Sequence, residues 1–261
     1  MTDFEKKLDS LDIKLFAKIH SQTSDDDKRS ILACQKAVRE LVGEYTFLEI
    51  GSYRGGSLQP FVMDEKCRKI ISIDKRPKVS PDERGIDVVY LDNTTEKMLE
   101  NLREVFPGGV SKIRTIDGDV SEIDPKEITE QPELCFIDGE HTDEATYRDF
   151  RFCRAVMADS GAVLFHDTMI IYNAVSRIIE ELKRDNVKFR AYNLPSVMFV
   201  IEIGDFPLYR SAAISEMLAN NYVGYLEALR FTDQYRQFAN RPLFRLARNL
   251  KAKITGSNIT K

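Results

Sequence analysis

Cysteine is scarce in this chain. Four are spread over 261 residues, at Cys34, Cys67, Cys135 and Cys153, with no C-x-x-C pair among them. That spacing argues against a zinc ribbon or a disulfide scaffold and points to a reducing cytoplasm. No apolar run approaches the roughly 18–20 residues that a membrane-spanning helix needs. The N-terminus, Met1 to Lys7, carries charge where a signal peptide would carry its apolar stretch, so secretion is not expected. Internal repeats and low-complexity linkers are missing. A basic excess is missing too: Lys and Arg number 38 against 42 Asp and Glu, for a formal net charge of −4. Without a basic footprint, nucleic acid is not an expected partner.

What is present is a composition 43% hydrophobic and 31% charged, that of a globular chain long enough to bury a core. Tyr45 to Ile50, Lys69 to Asp74, Lys112 to Ile116, Leu134 to Asp138 and Ala162 to Phe165 read as short buried strands. Helical patterns cover Ser57 to Met63, Thr94 to Val105 with Thr94 as cap, Asp143 to Met157, and about Ile171 to Arg184. Short buried strands separated by helices predict an α/β fold with a mostly parallel sheet covered on both faces. Lys188 to Tyr192 and Val197 to Ile203 are two closing strands broken by Asn193-Leu194-Pro195, which leaves no room for a helix. They predict an antiparallel hairpin at one edge.

The ends differ from the middle. Residues 1–43 read as N-terminal helices, with Leu8, Leu11, Ile13, Leu15, Phe16 and Ile19 as apolar positions and a second helix from about Asp26 to Leu41. Residues 44–204 form the sheet domain, and residues 205–261 a helical, aromatic-rich extension. From Arg236 onward there are seven Lys or Arg and no Asp or Glu. The plain reading of that segment is a solvated helix and tail; the sharper one is a basic face for an acidic substrate, a partner or a membrane surface. Phe206, Tyr209, Tyr222, Tyr225, Phe231 and Tyr235 read as packing residues rather than a sugar platform. The same helices leave room for a dimer face, hence a homo-oligomer.

The strongest local signal is Leu48-Glu-Ile-Gly-Ser-Tyr-Arg-Gly-Gly-Ser57, which leaves a strand and enters a helix. Gly51 suits the sharp turn at the strand's end, and Gly55 or Gly56 suits close approach of a ligand to backbone. The second strand ends in Asp74, placed to accept hydrogen bonds from both ribose hydroxyls of a nucleotide-like cofactor. A dinucleotide's pyrophosphate wants G-x-G-x-x-G, but the position two after Gly51 is Tyr53. Glu49, two residues before the glycine, would repel a pyrophosphate and suits a cationic ligand. The charge logic favours S-adenosylmethionine, with its sulfonium and α-amino group, over NAD.

These residues resemble the first motif of class I S-adenosylmethionine-dependent methyltransferases, and the chain is similar over about residues 44–203 to the bacterial group of macrocin and mycinamicin sugar O-methyltransferases and CmcI-like proteins. The resemblance implies a Rossmann-like class I methyltransferase sheet. It implies that Glu49, Gly51, Ser52, Gly55 and Ser57 line the methionine end and that Asp74 holds the ribose. Asp119, in Asp117-Gly-Asp-Val120, would sit near the adenine amino group, with Asp117 a close competitor.

The polar strand ends supply the rest. Phe136-Ile-Asp-Gly-Glu-His141 ends the fourth strand and Leu164-Phe-His-Asp-Thr168 the fifth. Ligands of open parallel sheets bind outside the carboxyl ends of the strands, so Asp74, Asp138, His141, His166 and Asp167 are expected around one crevice. Asp138 and Asp167 offer hard oxygen ligands suited to Mg²⁺, Ca²⁺ or Mn²⁺. His141, with an unperturbed pKa of about 6.5, suits general-base work on an alcohol. In the sugar O-methyltransferases the chain resembles, the aspartate of F-I-D-G-x-H is a metal ligand and the histidine is the base. That implies Asp138, beside the methyl donor, as ligand and His141 as base. His166-Asp167 stands where some relatives carry two consecutive acids. Asp167 carries over as a ligand, and His166 is either a third ligand or orients one; an imidazole there favours Mn²⁺ or Fe²⁺ somewhat. The competing reading makes Asp167-Thr168 a helix cap and His166 a satisfied half-buried histidine. His20 is placed in an N-terminal helix with a structural or exposed role.

The expected activity is methyl transfer from S-adenosylmethionine to a hydroxyl of a sugar or other small acceptor, divalent-metal-assisted, with Mg²⁺ or Mn²⁺. The alternatives are a non-catalytic CmcI-like relative or a nucleotide-cofactor protein on the same sheet, then an RNA methyltransferase, for which an N-P-P-Y-like motif is missing.

Overall fold

A computed structural model describes residues 1–85 and 87–222, and beyond them 226, 229, 230, 233, 234, 237 and 241–246. The chain divides into two compact units, Met1–Leu218 and Ala219–Lys261. Most of the basic run from Arg236 onward, with Tyr225, Phe231 and Tyr235, lies outside the described residues.

In chain order the elements are α1 (Asp3–Asp9), α2 (Asp25–Val42), β1 (Tyr45–Ile50), α3 (Gln59–Met63), β2 (Cys67–Asp74), β3 (Val79–Pro81), β4 (Asp87–Val89), α4 (Thr95–Val105) and β5 (Ile113–Asp117). Then follow β6 (Leu134–Ile137), α5 (Asp143–Val156), β7 (Gly161–Phe165), α6 (Tyr172–Arg184), β8 (Phe189–Asn193), β9 (Phe199–Ile203) and α7 (Ala212–Ala219). Seven strands form one sheet in the order β5-β2-β1-β6-β7-β9-β8. The pairs from β5 to β7 are parallel, while β9 runs antiparallel to both β7 and β8. The expected Rossmann-like sheet with its edge hairpin is therefore observed. No helix among the described residues is long and apolar enough to cross a membrane.

Alternation along β1 sets the two layers. Tyr45 and Phe47 face a core built with α2, α3 and α4, where Ile31, Leu32, Val38, Phe61 and Leu102 are buried. Leu48 and Ile50 face the other core, with Phe150 and Cys153 of α5 and Ile178 and Leu182 of α6. A strand buried on both faces reads as a continuous apolar run, which is why YTFLEI was legible. Phe47 stacks on Phe61 with ring centroids 3.7 Å apart, clamping the short α3 over β1. Truncating either ring to Ala would cost about 3–5 kcal/mol.

Two expectations need correction. The N-terminal region is not continuous helix: α1 stops at Asp9, and Ile13–Phe16 form one 3₁₀ turn before α2. His20 lies in the irregular segment between that turn and α2, exposed, and not in a helix. The structure also adds β3 and β4, an antiparallel pair inserted after β2. Three-residue strands give too little alternation to be read from sequence.

Candidate active site

The strands β1, β2, β6 and β7 end at one edge, and a cleft opens there with about 1060 Å³ of free space, its mouth included. Gly51, Ser52, Ser57, Asp74, Asp119, Asp138, His141, His166 and Asp167 all line it.

Gly51 has φ +95°, and a Cβ there would sit 2.1 Å from the Asp138 carbonyl oxygen. Only glycine lets β1 turn this close to β6. Tyr53 holds a left-handed φ of +42°, and its backbone N–H donates to Asp74 Oδ2 at 2.8 Å. Ser52 and Ser72 share a 2.7 Å hydroxyl hydrogen bond, which ties the loop to β2.

Two residues of the glycine-loop motif lie elsewhere than expected. Gly55 does not line the cleft; a Cβ there would meet Leu102 and Met98 of α4 at 3.1 Å, so its smallness serves packing. Glu49 is fully buried behind the wall. By alternation it shares the Phe47 face, where the Ser57 hydroxyl donates to its Oε1, while its Oε2 has no partner among the described residues. Burial pushes the Glu49 carboxyl well above the usual range, against the Ser57 hydrogen bond that lowers it. Ser57, and not Glu49, presents itself to the cleft.

Asp74 is 7% exposed. Its Oδ1 accepts from the Arg76 backbone N–H at 2.7 Å, and its Oδ2 accepts from that of Tyr53. Oδ2 also lies 3.4 Å from Arg76 Nη1, so both oxygens are oriented and Oδ1 has the freer lone pair. Of the two competing aspartates after β5, Asp119 lines the cleft and Asp117 does not; Asp117 pairs with Thr95 and Arg76 outside it. Asp119 lies 2.7 Å from Lys75 Nζ and 3.1 Å from Arg148 Nε, and caps the turn at Ser121. Burial raises its carboxyl, but Lys75 and Ser121 overcome that and hold it at about 2.

Asp138, His141, His166 and Asp167 each place one donor atom so that all four lie within 4.8 Å of one another. His166 Nδ1 is 3.1 Å from Asp138 Oδ1 and 3.3 Å from Asp167 Oδ2. His141 Nε2 is 3.3 Å from Asp167 Oδ2 and 3.7 Å from Asp138 Oδ1. Asp167 holds a left-handed φ of +53°, and neither carboxylate caps a helix: the N-cap of α5 is Thr142 and that of α6 is Ile171. His166 is 8% exposed, and neither of its ring nitrogens has a well-formed hydrogen bond among the described residues. Burial alone would lower its pKa, yet Asp138, Asp167 and Asp27 raise it well above the ordinary value. Asp138 is pushed up by burial and brought down to about 2 by the two imidazoles. The donor set fits a divalent cation. Donors about 3 Å apart are what cis ligands near 2.1 Å from one ion require, and the orphaned Nδ1 lies in that group.

Several lining residues escaped the sequence reading. Asp149 of α5 is 4% exposed, and burial raises its carboxyl to about 7. Tyr90 and Ser80 come from the β3–β4 insertion, and residues 20–23 from the N-terminal addition. Asp82, just after β3, bridges to the backbone at His141 and puts its Oδ2 3.9 Å from His141 Nδ1. A buried acid on a helix face, as at Asp149, is the one signal that could have been followed.

Comparison with known proteins bears on the fold that carries this site. Residues 48–168 match the family model described as a methyltransferase domain. A comparison with curated protein sequences gives no match. Among solved structures, the O-methyltransferase NovP aligns with a TM-score of 0.57 at 14% identity, covering 77% of this chain and 99% of NovP. Cofactor-bound Rv0187 from MTB aligns at 0.52 and 11% identity, over 78% of this chain and 90% of the other. The O-methyltransferase TomG from Streptomyces achromogenes, involved in tomaymycin synthesis and solved with SAM, aligns at 0.50 and 13% identity over the same shares. Residues 48–168 are thus similar to a methyltransferase domain, and the sheet is the one such structures share.

Proposed function

We propose that the protein transfers a methyl group from S-adenosylmethionine to a hydroxyl of a sugar or similar small acceptor, assisted by a divalent cation such as Mg²⁺ or Mn²⁺. The observation that carries this reading is the meeting, in one cleft, of Asp74 and Asp119 with the Asp138–His141–His166–Asp167 cluster. The SAM complex of TomG supports the donor, and the names of TomG and NovP support an oxygen acceptor. The motif likeness to the macrocin and CmcI group supports a sugar-like one.

Residue roles follow from position. Asp74 takes the ribose hydroxyls, Oδ1 with the freer lone pair and Oδ2 beside the Arg76 guanidinium, and Asp119 lies at the adenine end. Gly51, Ser52 and Ser57 border the methionine end, with the buried Glu49 carboxyl behind Ser57 able to ionise once a cationic group arrives. Transfer is an in-line displacement: the methyl C–S bond breaks as the C–O bond forms, so positioning and deprotonation dominate catalysis. Asp138, His166 and Asp167 would hold the cation, which when bound lowers the pKa of an acceptor hydroxyl. His141 Nε2 faces the same point and takes the hydroxyl proton, with Asp82 behind its Nδ1. Residues 44–204 are the catalytic domain in this reading, and residues 20–23 shape the cleft from the N-terminal addition. Four free, buried cysteines suit a cytoplasmic setting.

Titration calorimetry with S-adenosylhomocysteine tests the donor site. Wild type should bind and Asp74→Ala should bind weakly; no heat with wild type, or equal binding by both, would remove it. Turnover of candidate sugar acceptors should stop in chelator, and full turnover there would remove the cation.

A further inference from the structure

His166 stands where a carboxylate would make an all-oxygen site, and its far nitrogen does not face solvent. Asp27, at the third position of α2, puts its Oδ2 3.5 Å from His166 Nε2. Asp27 is 2% exposed and tied at four other points. Its Oδ1 accepts from Val197 N–H at 3.2 Å, and its Oδ2 accepts from the Ser24 N–H at 3.3 Å and hydroxyl at 2.5 Å and from the Ser196 hydroxyl at 3.4 Å. The capping box and the β8–β9 turn thus lock one carboxylate against one imidazole. The 3.5 Å separation is an ion-pair distance rather than a finished hydrogen bond, and Nε2 has no other partner among the described residues.

We propose that Asp27 is a positioning residue for the cation site proposed above. With an ion bound, its carboxylate would hold the remaining proton of His166 on Nε2 and leave Nδ1 to ligate beside Asp138 and Asp167, a mixed imidazole–carboxylate set that takes a first-row transition ion in preference to Mg²⁺. The argument is one of donor chemistry. An imidazole nitrogen is a borderline ligand that suits Mn²⁺, Co²⁺ or Zn²⁺ better than Mg²⁺, which demands oxygen and dehydrates reluctantly. A carboxylate on the outer nitrogen fixes the tautomer and raises the basicity of the ligating one. Helix capping alone would explain Ser24 and Asp27 as a pair, but it does not require the carboxylate to be buried against a histidine at the end of β7. The N-terminal addition is on this view part of the chemical site, not only a packing layer.

The test uses the full chain and reads the metal, not turnover. Calorimetry should show Co²⁺ binding at least about tenfold more tightly than Mg²⁺. In the Zn²⁺-loaded protein, imidazole ¹⁵N spectra, simplified by only three histidines, should show His166 protonated on Nε2. Asp27→Asn keeps the shape and an acceptor for the cap while removing the charge. It should weaken Co²⁺ binding about 10–100-fold and shift the Co²⁺ visible bands, with S-adenosylhomocysteine affinity within twofold of wild type. Equal or tighter Mg²⁺ binding, a proton on Nδ1, or an Asp27→Asn protein with unaltered Co²⁺ affinity and bands would each overturn the proposal. If no divalent ion binds while S-adenosylhomocysteine does, this inference and the cation fail and the methyl-donor site stands. If neither binds, the function proposed above falls as well.

Discussion

At the donor end of the cleft the acids are held by well-formed hydrogen bonds, whereas at the acceptor end His166 meets its carboxylates only at ion-pair distance. Asp74 receives two backbone N–H groups and Asp119 two cationic side chains, so their oxygens are aimed before any ligand arrives. His166 is buried among three carboxylates, and among the described residues neither nitrogen is properly hydrogen-bonded. A buried polar group left in that condition costs free energy that a bound ion would recover. The difference separates a preorganised binding surface from a site completed by what it binds. It also separates substitutions that should damage chemistry from those that should damage affinity.

The largest effect is expected at the acceptor end. Asp138→Ala should lower turnover by about 10³-fold or more, on the scale of lost electrostatic stabilisation, with calorimetry still showing S-adenosylhomocysteine bound. Loss of both together would mean that the two ends are not separable. His141→Ala should reduce the rate about 10²–10⁴-fold at neutral pH, the range of general-base catalysis. Wild-type rate should rise with pH there, because Asp138 and Asp167 outweigh burial and hold the His141 proton above its ordinary pKa. A flat profile in the wild type would assign the base elsewhere.

Gly51→Ala tests the hinge between the ends. A Cβ 2.1 Å from the Asp138 carbonyl, at φ +95°, should destabilise the fold by about 3 kcal/mol or more, read as a drop in melting temperature. At the donor end, Asp74→Ala should weaken S-adenosylhomocysteine by about tenfold, or roughly 1.4 kcal/mol, without moving Co²⁺ or Mg²⁺ affinity. The smallest effect is a slope. Asp149, raised by burial to about 7, holds a proton in the folded state that the unfolded chain releases near the ordinary aspartate value of 3.8. Its contribution is therefore lost as pH rises from about 4 to 7, by up to about 1.4 kcal/mol per pH unit. Asp149→Asn should gain stability over wild type in denaturant melts at pH 8 and show no gain at pH 4; parallel curves would show that burial does not govern this carboxyl.

The sheet was legible because its evidence is local. YTFLEI, the glycine turn after it and the acid ending the next strand each announce themselves within ten residues, and Thr94 caps α4 as expected. The three-residue strands around Ser80 carry no such period, and the N-terminal apolar residues Leu11 and Ile13 suggested one helix where a left-handed Leu11, φ +50°, breaks the chain. The motif does not show that Gly55 packs against Leu102 or that Glu49 lies behind Ser57.

From its order of residues alone this chain settles which stretches extend, where they turn and which polar groups end the strands, since steric and hydrophobic periods act over a few neighbours. The choice of Asp119 over Asp117, the pairing of Asp27 with His166 and of Asp82 with His141, and the burial of Asp149 belong to the assembled fold. Those contacts join helices, strands and turns that are as many as 170 positions apart, as between Asp27 and Val197, and their existence depends on layer order and register rather than on any local pattern.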